Sequence, residues 1–109
     1  MVRIHSVSKR EDEDLTEFYR LHAVMEELFP LIHKHLEKTE LQGSLLYRWA
    51  GNDANKLPIL LMGHQDVVPA DDKGWQVGAY SGAVIDGKVY GRGALDCKST
   101  MFVELHAIE

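Results

Sequence analysis

Two residues with clear chemical potential, His64 and Asp66, lie in the segment PILLMGHQDVVP at positions 58–69. If the backbone there is extended, the two side chains point the same way. A metal-bound imidazole normally donates its other N–H to a carboxylate or a carbonyl, so His64 could be a ligand that Asp66 orients. The alternative is a His–Asp hydrogen bond that only stabilises a turn, and the spacing alone favours this alternative.

A buried strand is predicted immediately before these residues. The run from Ile59 is apolar without strict alternation, which is typical of a strand covered on both faces in a parallel or mixed sheet. Pro58 can begin such a strand, and Gly63 loosens the backbone at its carboxyl end. His64 and Asp66 would then lie at the edge of the sheet where open α/β folds bind ligands.

The other elements follow from periodicity and turn residues. Residues 1–14 predict an extended or frayed lead-in that ends in an acidic run. Apolar spacings of three and four residues predict a helix from Leu15 to Phe29, a second short helix after Pro30, and a helix over 99–109. A strand over 44–50 is predicted to turn at 51–55 and to pair beside the run from Ile59. Asp86-Gly87 between β-prone residues predicts a hairpin.

Composition limits the class of protein. The chain has 109 residues, with 45% hydrophobic and 27% charged content, enough for one small core. The formal charge of -5 and the scattered basic residues argue against a nucleic-acid partner. No apolar run is long enough to cross a bilayer and the polar start is not a signal peptide, which predicts a cytoplasmic protein without a membrane partner. The single cysteine, Cys97, excludes an internal disulfide framework.

A second chemical segment is GRGALDCKS at 91–99. The two glycines after a predicted strand could indicate a dinucleotide site, but Asp96 stands at the third glycine position, where its carboxylate would repel a pyrophosphate. The glycines instead allow a close approach that could bring Asp96 to the same edge as His64. Because the chain stops within a helical pattern, we expect it to be a piece of a larger domain.

The two segments together, GHQDVVP at 63–69 and YGRGALDCKS at 90–99, resemble the paired signature of the M20 family of zinc metallopeptidases. Within that family the chain is most similar to the branch of carboxypeptidase S, Gly-X carboxypeptidase and aminoacylase-1. The resemblance implies an α/β fold with a mixed, largely parallel sheet flanked by helices, incomplete here. Residues 1–109 would be the N-terminal part of one catalytic domain, without its C-terminal half or the dimerisation domain.

The resemblance also implies roles for individual residues. His64 would be the first zinc ligand, Asp66 the carboxylate that orients it, and Asp96 the bridge between two Zn²⁺ ions, with a cis peptide bond between Asp96 and Cys97. The branch more often carries an acidic residue where this chain has Cys97. A buried structural thiol is favoured over a third soft ligand at that position.

The family's general-base glutamate would lie beyond Glu109, so the fragment is expected to be inactive. The full-length protein, which could be a homodimer, would hydrolyse a C-terminal peptide bond or an N-acyl amino-acid amide, with a peptide or an N-acyl amino acid as its substrate. Two alternatives are a non-catalytic binding or folding module and a mononuclear metal-binding protein.

Overall fold

The computed structural model describes residues 1–8 and 14–109. Within those ranges the helices are α1 (Thr16–Leu28), α2 (Pro30–His35) and α3 (Lys98–Ile108), and the strands are β1 (Glu37–Leu41), β2 (Ser44–Arg48), β3 (Ala83–Ile85) and β4 (Lys88–Tyr90). These elements confirm the three predicted helices. Most of the acidic run in the predicted lead-in, Glu11 to Glu13, lies outside the described residues. No helix in the described ranges is both long enough and apolar enough to span a membrane.

The junction between α1 and α2 follows from a proline. Phe29 leaves the helical conformation with φ −129° and ψ 62°, and Pro30, which has no N–H to satisfy, occupies the first turn of α2. The N–H groups of Leu31 and Ile32 donate to the carboxylate of Glu109, at 2.9 and 3.0 Å. The residue after α3 therefore holds the start of α2.

The main hydrophobic core lies between the helices. Its buried members come from α1, the α1–α2 junction, α2, α3 and the N-terminal segment; they are Ile4, Leu21, Met25, Phe29, Ile32, Met101 and Leu105. The members from α1 to α2 are spaced by three and four residues and therefore lie on one face of these helices, as the periodicity predicts. The core therefore positions α3, which begins at Lys98, two residues after Asp96.

Both sheets are two-stranded antiparallel hairpins. The hairpin of β3 and β4 confirms the prediction from Asp86-Gly87, and both residues have positive φ, 49° and 73°, as a tight hairpin turn of this kind requires. Strand β2 pairs with β1, with Thr39 opposite Leu46. The prediction that β2 pairs with the run from Ile59 was therefore wrong, and β1 was not predicted.

The prediction of a buried strand from Ile59 was also wrong for this chain. Residues 59–63 form no strand, and Ile59 and Leu60 are 90% and 70% exposed. A central strand needs hydrogen-bonded neighbours on both sides. Among the described residues, segment 58–69 has one β-bridge, a parallel one between Val7 and Val67. The mixed α/β class is confirmed, while a largely parallel sheet stays a prediction.

Candidate metal centre

The segment that carries His64 is anchored on the start of α3 even though it forms no strand. A Cβ built on Gly63 would lie 3.1 Å from the Cβ of Met101, so glycine permits this close approach. The N–H of His64 donates to the sulfur of Cys97 at 3.1 Å, and the Cys97 thiol donates to the His64 carbonyl at 3.3 Å. These contacts place the imidazole of His64 beside Asp96.

His64 lies between two carboxylates. Its Nδ1 is 3.1 Å from Oδ1 of Asp66 and 3.0 Å from the Asp66 carbonyl, and its Nε2 is 3.0 Å from Oδ1 of Asp96. His64 and Asp66 therefore point the same way, as an extended backbone predicts, although no strand holds them. The hydrogen bond to Asp96 is the largest cause that raises the pKa of His64 above its usual 6.5. Burial opposes this increase, and the contacts with Asp66 raise the pKa further.

Asp66 is oriented by the N-terminal segment. The hydroxyl of Ser8 donates to Oδ2 of Asp66 at 2.9 Å, so the two carboxylate oxygens face Ser8 and His64 respectively. The backbone N–H of Val67 donates to the Ser6 carbonyl at 2.9 Å. Sequence reasoning missed both serines, because serine in a polar lead-in carries no signal that it will meet a residue about sixty positions away.

Asp96 lies in the connection between β4 and α3. Its side chain is 87% exposed, which leaves one carboxylate oxygen free of His64 and open to solvent. The N–H of Lys98 donates to the Gly93 carbonyl at 3.0 Å, which closes the loop that presents Asp96. The peptide bond between Asp96 and Cys97 is cis, as the family resemblance implied.

The donors gathered at this point fit a divalent cation. Among the described residues, one group of three metal-binding side chains occurs, His64, Asp96 and Cys97, with potential ligand atoms within 4.8 Å of one another. Two donors on a tetrahedral zinc ion at about 2.0–2.1 Å would lie roughly 3.3 Å apart. The 3.0 Å between His64 Nε2 and Asp96 Oδ1 is close to that separation. Since Nδ1 is engaged by Asp66, Nε2 is the nitrogen that remains for a metal.

Cys97 is half-buried rather than fully buried, and its thiol contacts the backbone of His64 on both the N–H and the carbonyl. These contacts give the thiol a structural role beside the metal donors.

Four other histidines do not join this group. His33 is half-buried, with Nδ1 2.8 Å from the Phe29 carbonyl and Nε2 2.7 Å from the Tyr47 hydroxyl. His35 and His106 are exposed. His22 on α1 is buried and contacts Gln65, the residue between His64 and Asp66.

The loop after the site carries Trp75 as its aromatic anchor. The indole is half-buried and lies 5.6 Å from the guanidinium carbon of Arg92, a cation–π contact. Both residues line an open groove with Pro69, three residues after Asp66. The indole thus joins the loop to the segment that leads to Asp96.

Comparison with known proteins identifies the family of the chain. Residues 60–109 match the profile of "Peptidase family M20/M25/M40". The chain thus belongs to the M20 family of peptidases.

Its relatives include carboxypeptidase S of Saccharomyces cerevisiae, 46% identical over 99 residues that cover 84% of this chain and 17% of the yeast protein. The N-fatty-acyl-amino acid synthase/hydrolase PM20D1 of Mus musculus is 37% identical over 112 residues, covering 99% of this chain and 22% of the mouse protein. The chain thus spans about a fifth of the length of these relatives. No solved structure gave a significant match.

Proposed function

We propose that this chain contributes the first half of a dinuclear zinc site to an M20-type hydrolase. The full-length protein would hydrolyse a C-terminal peptide bond or an N-acyl amino-acid amide. The observation that carries this proposal is the placement of His64 between Asp66 and Asp96, at 3.1 and 3.0 Å. The named activities of the relatives, carboxypeptidase and fatty-acyl-amino acid synthase/hydrolase, support an amide-hydrolysing reaction on amino-acid derivatives.

In this proposal each residue has one task. His64 would hold zinc through Nε2, because Asp66 accepts the Nδ1–H and so leaves the lone pair of the neutral imidazole on Nε2. Ser8 holds Asp66 by donating to its second oxygen at 2.9 Å. Asp96 would hold the zinc pair together with His64, since its carboxylate contacts Nε2 of His64 and its side chain is 87% exposed.

When bound, a pair of zinc ions would supply Lewis-acid activation of the amide carbonyl and of a water molecule. A proton and a metal ion compete for Nε2 of His64, because only the neutral imidazole offers a lone pair. The carboxylates that raise the pKa of His64 therefore stabilise a bound cation and a bound proton alike.

Among the described residues, no glutamate belongs to the group of metal-binding side chains around His64. Glu109 accepts hydrogen bonds from the start of α2, and neither it nor Glu104 belongs to the group of donors around His64. This supports the proposal that the chain alone does not hydrolyse substrate and that the base and the remaining ligands are supplied elsewhere in a longer protein. The exposed run from Ile59 would then join a largely parallel sheet with strands from that part of the protein.

The longer protein would act in the cytoplasm on a peptide or an N-acyl amino acid, as a homodimer, without nucleic acid or membrane as a partner. Carboxypeptidase S-like relatives support the substrate class by name only.

The test is a zinc titration by calorimetry on this chain and on His64→Ala, Asp96→Ala and Glu27→Ala variants. Glu27 is an exposed carboxylate on α1, so its replacement controls for a general loss of negative charge. One weak site that is lost in the first two variants and retained in the third would support the proposal. Equal zinc affinity in wild type and His64→Ala would contradict it, and two independent sites in this chain would contradict the split-site account.

A further inference from the structure

His22 is a buried titratable side chain that the metal centre does not use directly. It lies on α1, between the core residues Leu21 and Met25, and is 4% exposed. A buried polar side chain is costly unless it is hydrogen-bonded, so its partners indicate what it is retained for. Apolar residues would serve better if this position only filled the core.

The imidazole of His22 is directed at the residue between the two site residues. Its Nε2 lies 2.9 Å from Oε1 of Gln65 and 3.1 Å from the Gly43 carbonyl. The side-chain amide of Gln65 donates to the same Gly43 carbonyl. Because a carbonyl oxygen only accepts, Nε2 of His22 carries the hydrogen that these two oxygens share. Nδ1 lies 3.3 Å from Oε2 of Glu40 but makes no hydrogen bond with it.

Gln65 is thereby held at both its side chain and its backbone. In an extended segment its side chain points away from those of His64 and Asp66, so contacts on the far side can fix the segment without obstructing the site. The Ser6 hydroxyl, fully buried, donates to the Gln65 carbonyl at 2.6 Å. His22 and Ser6 together constrain the one residue through which His64 and Asp66 are joined.

We infer that His22 is a positioning residue for the metal centre, acting through Gln65 on the relative placement of His64 and Asp66. The inference rests on the proposed metal-binding role of His64. A direct hydrogen-bond partner of a ligand typically contributes about 10–100-fold to metal affinity. His22 contacts the residue next to the ligand and not the ligand itself. We therefore expect its contribution to zinc affinity to be smaller, about 3–10-fold.

The competing explanation is that His22 only joins α1 to the turn at Gly43. A purely structural role would lower stability and leave the zinc affinity of the folded protein unchanged. The two explanations therefore differ in metal affinity measured under conditions where each variant is folded.

The experiment compares zinc affinity by calorimetry in wild type and in His22→Phe, His22→Gln and Met25→Ala variants, with urea unfolding to establish that each is folded. His22→Phe keeps a flat ring and removes the donor, whereas His22→Gln can return an N–H to the position of Nε2. Met25→Ala is the control for a destabilised core, at a core side chain that has no hydrogen to donate to Gln65. We expect about 3–10-fold weaker zinc binding in His22→Phe, recovery to within about 2-fold in His22→Gln, and no change in Met25→Ala.

Gln65→Met provides a second variant if His22→Phe does not fold. It removes the amide and leaves His22 paired with the Gly43 carbonyl, and the same weakening of zinc binding is expected. Wild-type zinc affinity in folded His22→Phe or Gln65→Met, with His64→Ala still abolishing binding, would overturn the role of His22 and leave the metal centre intact. Wild-type affinity in His64→Ala would overturn both.

Discussion

Lys98 allows a quantitative test of how the N-terminal segment is held against α3. The side chain is 1% exposed, and its ammonium donates to the Ile4 carbonyl at 2.8 Å and to the Met1 carbonyl at 3.4 Å. Burial lowers the pKa of Lys98 from 10.5 to about 8, with the charges of Glu17 and Asp66 opposing that change. Two carbonyl dipoles therefore do not fully replace the water that the ammonium loses.

The lowered pKa makes stability depend on pH in a defined direction. Between about pH 8 and 10.5 the unfolded chain holds the Lys98 proton and the folded chain releases it, so the free energy of unfolding rises with pH. The difference between the two pKa values of Lys98 corresponds to at most about 3 kcal/mol, at about 1.4 kcal/mol per pKa unit. Below pH 8 this destabilisation by the buried ammonium is present in full.

The perturbation is Lys98→Met, which keeps an unbranched side chain and removes the terminal ammonium with its charge. At pH 7 the variant gains about 3 kcal/mol from the lost desolvation cost and loses about 1–3 kcal/mol because the Ile4 carbonyl is left without its donor. Its stability should therefore lie within about 2 kcal/mol of wild type at that pH. As the pH rises towards 10.5, wild type should gain up to about 3 kcal/mol relative to the variant.

The assay is urea unfolding followed by circular dichroism, for wild type and Lys98→Met, at several values from pH 7 to pH 10.5. Groups other than Lys98 titrate in both proteins, so the difference between the two free energies reports Lys98 together with the N-terminal amine of Met1, whose pKa the charge of Lys98 helps to lower. A difference that stays constant across this range would refute the reasoning, because it would mean that the ammonium of Lys98 is not desolvated in the folded chain.

Three further predictions concern the metal centre. Asp66→Asn should weaken zinc binding by about 10–100-fold in calorimetry and lower the pKa of His64 measured by NMR, because a neutral amide holds the Nδ1 proton less well than a carboxylate does. An unchanged zinc affinity would contradict the orienting role of Asp66. Cys97→Ser should keep zinc affinity within about 3-fold of wild type, because a hydroxyl can make the same contacts with the His64 backbone. A thiolate charge-transfer band in the cobalt-loaded wild type would contradict this, since it would show that sulfur binds the metal. Gly63→Ala should lower the free energy of unfolding by about 1 kcal/mol, because the contact of its Cβ with Met101 opposes the smaller entropic gain of alanine; an increase in stability on urea unfolding would contradict this packing.

Local sequence rules predicted those elements whose cause is local. The helices follow from the spacing of apolar residues and from Pro30, which cannot continue a helix without losing a hydrogen bond. The hairpin at Asp86-Gly87 follows from a turn that needs positive φ at both residues. The turn of the first hairpin has the same backbone conformation at Gln42 and Gly43, but glutamine is not a residue that marks such turns, and β1 was missed for that reason.

The failure at Ile59 has a different cause. An apolar run indicates that a segment can be buried, whereas a strand also requires neighbours that accept and donate its backbone hydrogen bonds. Those neighbours are decided by the rest of the fold. In this chain, the described residues supply a single bridge at Val67, and Ile59 stays exposed.

The sequence by itself determined which residues are candidate metal ligands and which family the chain resembles. Both follow from short segments, the one that holds His64 and Asp66 and the one around Asp96. Only the tertiary structure decided that Nε2 of His64 lies 3.0 Å from Asp96. It also decided that Ser8 contacts Asp66 and that His22 contacts Gln65. The physical reason is that a hydrogen bond between residues far apart in the chain depends on how helices and loops pack. That packing results from many weak contacts shared across the whole core, and no short segment encodes it.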